Sequence, residues 1–128
     1  AFWQRCDVVF VGAVDIDWPY LDVSKRLAAL GLTIEQLKAA GAIALMANQV
    51  VSATGDLLPL SPDVPSYEPA FPLQTLRGLA SHRVPPDKYV VLDAWGPPGK
   101  GVGPLLEAGL VNVLLTDAQV ARALLKAT

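Results

Sequence analysis

The sequence is short of the residues on which most small-protein chemistry depends. It has one cysteine, Cys6, and one histidine, His82, in 128 residues. A lone cysteine excludes an intrachain disulfide and suits a reducing compartment. With no base residue near it in sequence, Cys6 reads as an inert thiol rather than a nucleophile. A lone histidine excludes a multi-histidine metal cluster. His82 lies beside Arg83 in a polar stretch and reads as a solvated loop residue.

Charge is also scarce, at 17% of residues, with a formal net charge of -2. No segment concentrates Lys and Arg, so the basic footprint of a nucleic-acid-binding surface is absent and this chain alone is not expected to grip DNA. No apolar run approaches the roughly 20 residues needed to span a bilayer, and no charged segment followed by an apolar stretch opens the sequence. The expectation is a soluble, cytoplasmic protein with no membrane partner. No internal repeat or low-complexity tract is found.

Hydrophobic residues are plentiful, at 52%. That excess over the globular norm implies surfaces buried against something further, such as another segment or a second subunit, and a homo-oligomer is the expected assembly. The length suits one domain with its own core. The start at Ala1, followed by Phe2 and Trp3, reads as a fragment or a processed piece of a longer chain.

Residues 7–13 read Asp-Val-Val-Phe-Val-Gly-Ala, an unbroken apolar run expected to be a parallel strand buried on both faces. Pro19 suits the first turn of a helix on which Val23, Leu27 and Leu30 recur at helical spacing until Gly31. Thr33 and Gln36 have capping-box spacing, and Gly41 closes that second, short helix. Residues 42–52 are apolar and read as a strand, followed by Thr54-Gly55-Asp56 as a turn toward a short return strand at Leu57 and Leu58. Five prolines between Pro59 and Pro72 mark a surface loop, which offers Tyr67 and Glu68 to a docking partner.

The second half is more regular. Residues 73–79 are helix-compatible, and residues 89–94 form a Val-Val-Leu strand. Gly96-Pro97-Pro98-Gly99-Lys100-Gly101 then leads into a helix bearing Val102, Leu105 and Leu106 and ending at Gly109. Residues 110–115 form another strand, and Thr116 with Gln119 is expected to cap a last helix carrying Val120, Leu124 and Leu125. Strands alternating with helices over short connections predict an α/β fold, a parallel sheet with flanking helices in Rossmann-like layers.

In such sheets ligands bind beyond the carboxyl ends of the strands. Three loops qualify. The Gly96–Gly101 loop combines glycines, Gly96 and Gly99 among them, which admit close backbone approach, with Lys100, a mobile charge suited to phosphate. It lacks the spacing of a nucleotide P-loop, and a plain tight turn with a solvated lysine explains it equally well. Gly12, Ala13, Val14 and Asp15 could present backbone N–H groups to a sugar or phosphate, with Asp15 and Asp17 accepting from hydroxyls. Acids that merely favour a helix start are the plainer reading of the two aspartates. Thr116 and Asp117 read first as an N-cap pair that also lies on the binding rim. Trp95 adjoins the glycine loop, although packing is the commoner use of a tryptophan. Asp93 and Glu107 add carboxylates with no partnering motif, so no catalytic residue, metal or cofactor is assigned.

The segment Leu110-Val111-Asn112-Val113-Leu114-Leu115-Thr116-Asp117, with Ala121, Leu124 and Leu125 after it, resembles the terminal signature of SorC/DeoR-type sugar-binding transcriptional regulators, a strand like "LVNVLITDE" leading into "ARALL". Gly99-Lys100 resembles that family's glycine-lysine loop. Gly12 falls where "VGIG" would, and Gly41-Ala42-Ile43 with Thr54-Gly55 resembles "GAVG…DxxG". The resemblance runs from about Asp7 to the end and is most specific in the last third. It implies an effector-binding domain whose fold resembles the sugar-phosphate isomerase/CoA-transferase superfamily, not an enzyme, with residues 1–128 forming its C-terminal half. It further implies a phosphorylated sugar effector, Lys100 at the phosphate, the Gly12 loop at the sugar, and DNA contacted only through a domain absent from this chain. Two departures stand out: Ala44-Leu45-Met46 occupies the place where the family usually carries an acid, and Val-Gly-Ala-Val replaces Val-Gly-Ile-Gly. They fit either a different, less polar ligand or a domain kept for assembly; an isomerase-like enzyme is the remaining alternative.

Overall fold

A computed structural model describes residues 5–17, 24–29, 31–46, 49–58, 73–80, 85–95 and 101–127. Their elements follow the order β1 (Val8–Asp15), α1 (Ser24–Ala29), α2 (Ile34–Ala39), β2 (Ala42–Met46), β3 (Gln49–Ser52), α3 (Leu73–Leu79), β4 (Tyr89–Ala94), α4 (Val102–Glu107), β5 (Val113–Thr116) and α5 (Ala118–Ala127). The five strands form one sheet in the order β3-β2-β1-β4-β5.

The sheet is mixed rather than wholly parallel. β1, β4 and β5 run parallel, while β2 and β3 form an antiparallel hairpin on the other side of β1. β1 changes partner along its length: Val8 through Gly12 pair with β4, and Ala13 through Asp15 pair with β2. The continuous strand expected over residues 42–52 is therefore two strands. Val50 and Val51 of the edge strand β3 are buried like Ala42, Ala44 and Met46 of β2, and an apolar run does not reveal a chain reversal inside it. The return at Leu57 is a single bridge to Val51. The turn before it matches the expected chemistry, with Gly55 at φ 78° and the Ser52 hydroxyl accepting from the N–H groups of Thr54 and Asp56.

Short caps set the helix ends. Thr33 and Gln36 make the reciprocal capping box of α2. Gly31, Gly41 and Gly109 adopt positive φ where helical segments stop. α5 begins one residue later than Thr116 and Gln119 would place it: Asp117 Oδ1 accepts from Gln119 N and Val120 N at 2.8 and 2.9 Å, whereas Thr116 closes β5. A carboxylate adjacent to the hydroxyl takes the cap because its charge also complements the helix dipole.

One face of the sheet packs Val9, Val11, Val90, Leu92 and Ala94 against Leu73, Leu76 and Leu79 of α3 and Leu105 of α4. On the hairpin, Ala44, Met46 and Val51 continue this core. The opposite face holds a smaller cluster in which Leu27 of α1 and Leu37 of α2 meet Val50, Ala42 and Ile16. That cluster covers only the hairpin end. Toward β4 and β5 the same face leaves Val8 at 48%, Phe10 at 67% and Leu115 at 46% exposure. β1 is thus buried on one face there, not on both as its sequence suggests.

Asn112 fixes the register of the parallel half. Its Oδ1 accepts from Val90 N and its Nδ2 donates to Lys88 O, both at 2.8 Å, so an amide side chain extends the ladder at the start of β4. The Asn within Leu-Val-Asn-Val is a structural residue at the amino end of the strands, away from their carboxyl ends.

Candidate functional site

Leaving β1 the chain turns to one side of the sheet, to β2 and β3; β4 then lies on the other side, followed by β5. The order therefore reverses between β1 and β4, and such a switch point opens a crevice at the carboxyl ends of the two strands. The last register pair of β1 with β4 is Gly12 with Asp93. Among the described residues a Cβ at Gly12 would meet nothing within 4 Å, and Asp93 beside it is exposed on the face away from α3 and α4.

Along β4, Asp93 and Trp95 stand two residues apart. Trp95 is 57% exposed, and its Nε1 donates to Asp93 Oδ1. On the far side of Asp93, Leu115 of β5 is its partner in register. Sequence reading treated Asp93 and Trp95 separately; the period-2 alternation at a strand end was the feature that could have joined them.

The other side of the rim is tied down. Asp15 Oδ1 accepts from Asp17 N and Asp15 Oδ2 accepts from Gly101 N, each at 2.8 Å. Gly101 is the N-cap of α4, and the donor that Asp15 satisfies is the N–H of Gly101 itself, just ahead of the first helical turn. A Cβ on Gly101 would stand 3.1 Å from Ala44 Cβ and 3.2 Å from Ile43 O, which explains glycine at this contact. With both oxygens on backbone N–H groups, Asp15 acts as a brace and is poorly suited to serve as a general base.

Thr116 and Asp117 reach the same rim from β5. The Thr116 hydroxyl donates to Ala94 O, which joins the ends of β4 and β5. Asp117 is spent on capping α5. Ala13 is half-buried against the main core, and Val14 pairs with Leu45. Of the residues expected at the site, Gly12 has open space beside it among the described residues, while Asp15, Thr116 and Asp117 shape the rim. Gly96, Gly99 and Lys100 lie outside the described residues; Trp95 and Gly101, the described residues on either side of them, both sit at this rim. Asp17 forms an exposed ion pair with Lys38, and that partner's hydrogen bond raises the lysine's pKa above its ordinary value.

Among the described residues no group of three His, Cys, Asp or Glu is placed to hold a metal ion, and no helix is long and apolar enough to cross a membrane.

No family model matches the sequence, and no curated protein matches it significantly. Solved structures do. The chain is similar to the full-length sorbitol operon regulator of Klebsiella pneumoniae, with a TM-score of 0.67 and 18% identity over 97% of this chain and 36% of that one. It is similar to a DeoR family transcriptional regulator from Listeria monocytogenes, with a TM-score of 0.62 and 16% identity over 94% of this chain and 45% of that one. It is also similar to a domain described as sugar-binding from a transcriptional repressor of Vibrio fischeri, with a TM-score of 0.61 and 18% identity over 97% of this chain and 46% of that one. The fold is that of these regulators, and the chain spans less than half the length of each.

Proposed function

We propose that this chain is the C-terminal half of an effector-binding domain in a cytoplasmic transcriptional regulator, and that its effector is a phosphorylated sugar. The observation that carries this reading is the reversal of strand order between β1 and β4, the place where open α/β sheets bind ligands. At the carboxyl ends of those strands a Cβ on Gly12 would meet no atom of the described residues within 4 Å, and the exposed Asp93 carboxylate stands beside it in register, in a fold shared with regulators of sugar operons. In this reading the Gly12–Asp15 segment lines the sugar, Lys100 with Gly96 and Gly99 takes the phosphate, and Thr116 and Asp117 complete the rim. The layered fold is then that of the sugar-phosphate isomerase/CoA-transferase superfamily. The domain senses rather than turns over its ligand, because Asp15, the acid nearest Gly12 along β1, is engaged by two backbone N–H groups.

Effector occupancy would act on DNA through a separate domain and on assembly through a homo-oligomer, which needs only different affinities for two states. The exposed Val8, Phe10 and Leu115 support a further surface to be covered in that assembly.

The test is a thermal-shift screen of the chain and its longer parent against hexose and pentose phosphates, the unphosphorylated sugars and inorganic phosphate. A ligand that binds only the native state raises the midpoint. The expected result is a rise with one class of sugar phosphate that is lost in Lys100→Ala. A folded parent that no sugar phosphate stabilises would remove the sensor reading and leave assembly as the role.

A further inference from the structure

Three neighbours at the carboxyl end of the open sheet face share a chemistry that the fold does not require. Among the described residues no atom would lie within 4 Å of a Cβ at Gly12, Asp93 stands beside it in register, and Trp95 lies exposed with its indole N–H on the Asp93 carboxylate. An indole this exposed gives up much of the burial that usually accounts for a tryptophan's place in a protein. Here its polar edge is held, so the apolar ring is oriented before any ligand arrives, which lowers the ordering cost of binding.

We infer that Trp95 and Asp93 form a carbohydrate-recognising pair that sets the specificity of this site. The inference rests on the sensor reading above and deepens it. A sugar has two kinds of surface: faces of C–H groups, which favour contact with an aromatic ring, and hydroxyl donors, which favour a carboxylate acceptor. The pair offers both side by side, with Asp93 Oδ2 left to accept from a hydroxyl while Oδ1 takes the indole N–H. The absence of a side chain at Gly12 keeps the described residues beside the pair from crowding a ligand there. The carboxylate also fixes polarity. It repels phosphate, so the ligand turns its neutral, hydroxylated ring toward Asp93 and its phosphate toward the other side of the rim. A ligand with phosphate but no ring, such as glycerol 3-phosphate, gains nothing from Trp95.

The experiment uses the full chain carrying Trp3→Phe and Trp18→Phe, so that Trp95 is the sole tryptophan, with Trp95→Ala, Trp95→Phe and Asp93→Asn compared in the natural background. The probes are glucose 6-phosphate, fructose 6-phosphate, ribose 5-phosphate, glycerol 3-phosphate and inorganic phosphate, followed by Trp95 fluorescence and by calorimetry. The expected outcome is a fluorescence change with a ring sugar phosphate. Its affinity should drop about tenfold in Trp95→Ala and partly recover in Trp95→Phe, as for the loss of one aromatic contact. Glycerol 3-phosphate should bind wild type and Trp95→Ala alike, and Asp93→Asn should narrow the preference among the sugars. Both side chains are exposed, so the melting temperatures should match wild type. If ring sugar phosphates bind with the same affinity in Trp95→Ala and Asp93→Asn as in wild type, the pair is not a recognition element, and the sensor reading stands without it. If no phosphorylated sugar binds folded wild type at all, the sensor reading fails and this inference with it.

Discussion

The Asp15 carboxylate accepts the backbone N–H of Gly101 at 2.8 Å, which ties the carboxyl end of β1 to the first turn of α4 across most of the sequence. The same carboxylate takes Asp17 N through its other oxygen. One side chain thereby satisfies two backbone donors at a rim where unpaired donors would otherwise face a crevice or the core.

Asp15→Ala should destabilise the fold by about 1–2 kcal/mol, the scale of a lost helix cap. Asp15→Asn, which keeps an acceptor oxygen, should lose clearly less. Urea unfolding at constant slope measures both. Equal losses in the two variants would show that the bond to Gly101 contributes little.

Gly12 within β1 and Gly101 at the start of α4 should respond differently to alanine. At Gly101 the added methyl would press on Ala44 Cβ at 3.1 Å and Ile43 O at 3.2 Å, and alanine is also a poorer N-cap than glycine, so stability should drop by about 1–2 kcal/mol. At Gly12 nothing among the described residues lies within 4 Å, and alanine should hold or slightly raise the melting temperature. Its cost should appear only in binding, as weaker affinity for a ring sugar phosphate by calorimetry.

Gly55 should be the least tolerant of the described glycines. It has φ 78°, and a Cβ there would come 2.3 Å from Ala108 Cβ. Arg77 spans the same contact, donating through Nε to Ala108 O and through an Nη nitrogen to Gly55 O. Gly55→Ala combines left-handed strain with overpacking, and a loss of about 2–4 kcal/mol in chemical denaturation is expected.

The Lys38–Asp17 pair should matter little at neutral pH, because both side chains are about half exposed, at 43% and 52%. Its sign with pH is nonetheless definite. The hydrogen bond to Asp17 raises the folded-state pKa of Lys38 above the ordinary 10.5. Whatever stability the pair contributes is fully present below that ordinary value and disappears as pH climbs through the raised one. Lys38→Met should therefore differ from wild type by the same small amount, at most about 1 kcal/mol, in urea unfolding at pH 7 and at pH 9, and that difference should close in strongly alkaline solution.

What could be read in advance depended on how local the cause was. The Thr33–Gln36 box, the glycine stops and the bounds of α3 and β4 follow from residues within a turn or two of each other, and the sequence displays them. The cap of α5 was misplaced by one residue because Thr116 and Asp117 both have capping chemistry, and β5 had first claim on the threonine through its bond to Ala94 O. Burial of β1 was misread because an apolar run reports what a strand tolerates and says nothing of what covers it: Phe10 and Val11 look alike in sequence and differ by being 67% and 6% exposed. The split of residues 42–52 escaped notice since Asn48 is the only turn-forming residue within it. Loop grammar pointed to Gly12, Asp15, Thr116 and Asp117, which the structure places near the carboxyl ends of β1 and β5. The brace between Asp15 and Gly101 and the Trp95–Asp93 pair were not, because each depends on which strands are neighbours.

The partner exchange along β1 also orders events in time. β2 and β3 are adjacent in sequence and can form a hairpin on the microsecond scale, and the end of β1 joins it over a loop of modest length. The first half of β1 must wait for β4, since Val8 pairs with Tyr89 about eighty residues later, and closing so long a loop is slow. The crevice lies on that late seam. A nascent chain would carry a formed hairpin well before it carried a binding site, and a ligand added during refolding should speed none of the early phases while trapping the last.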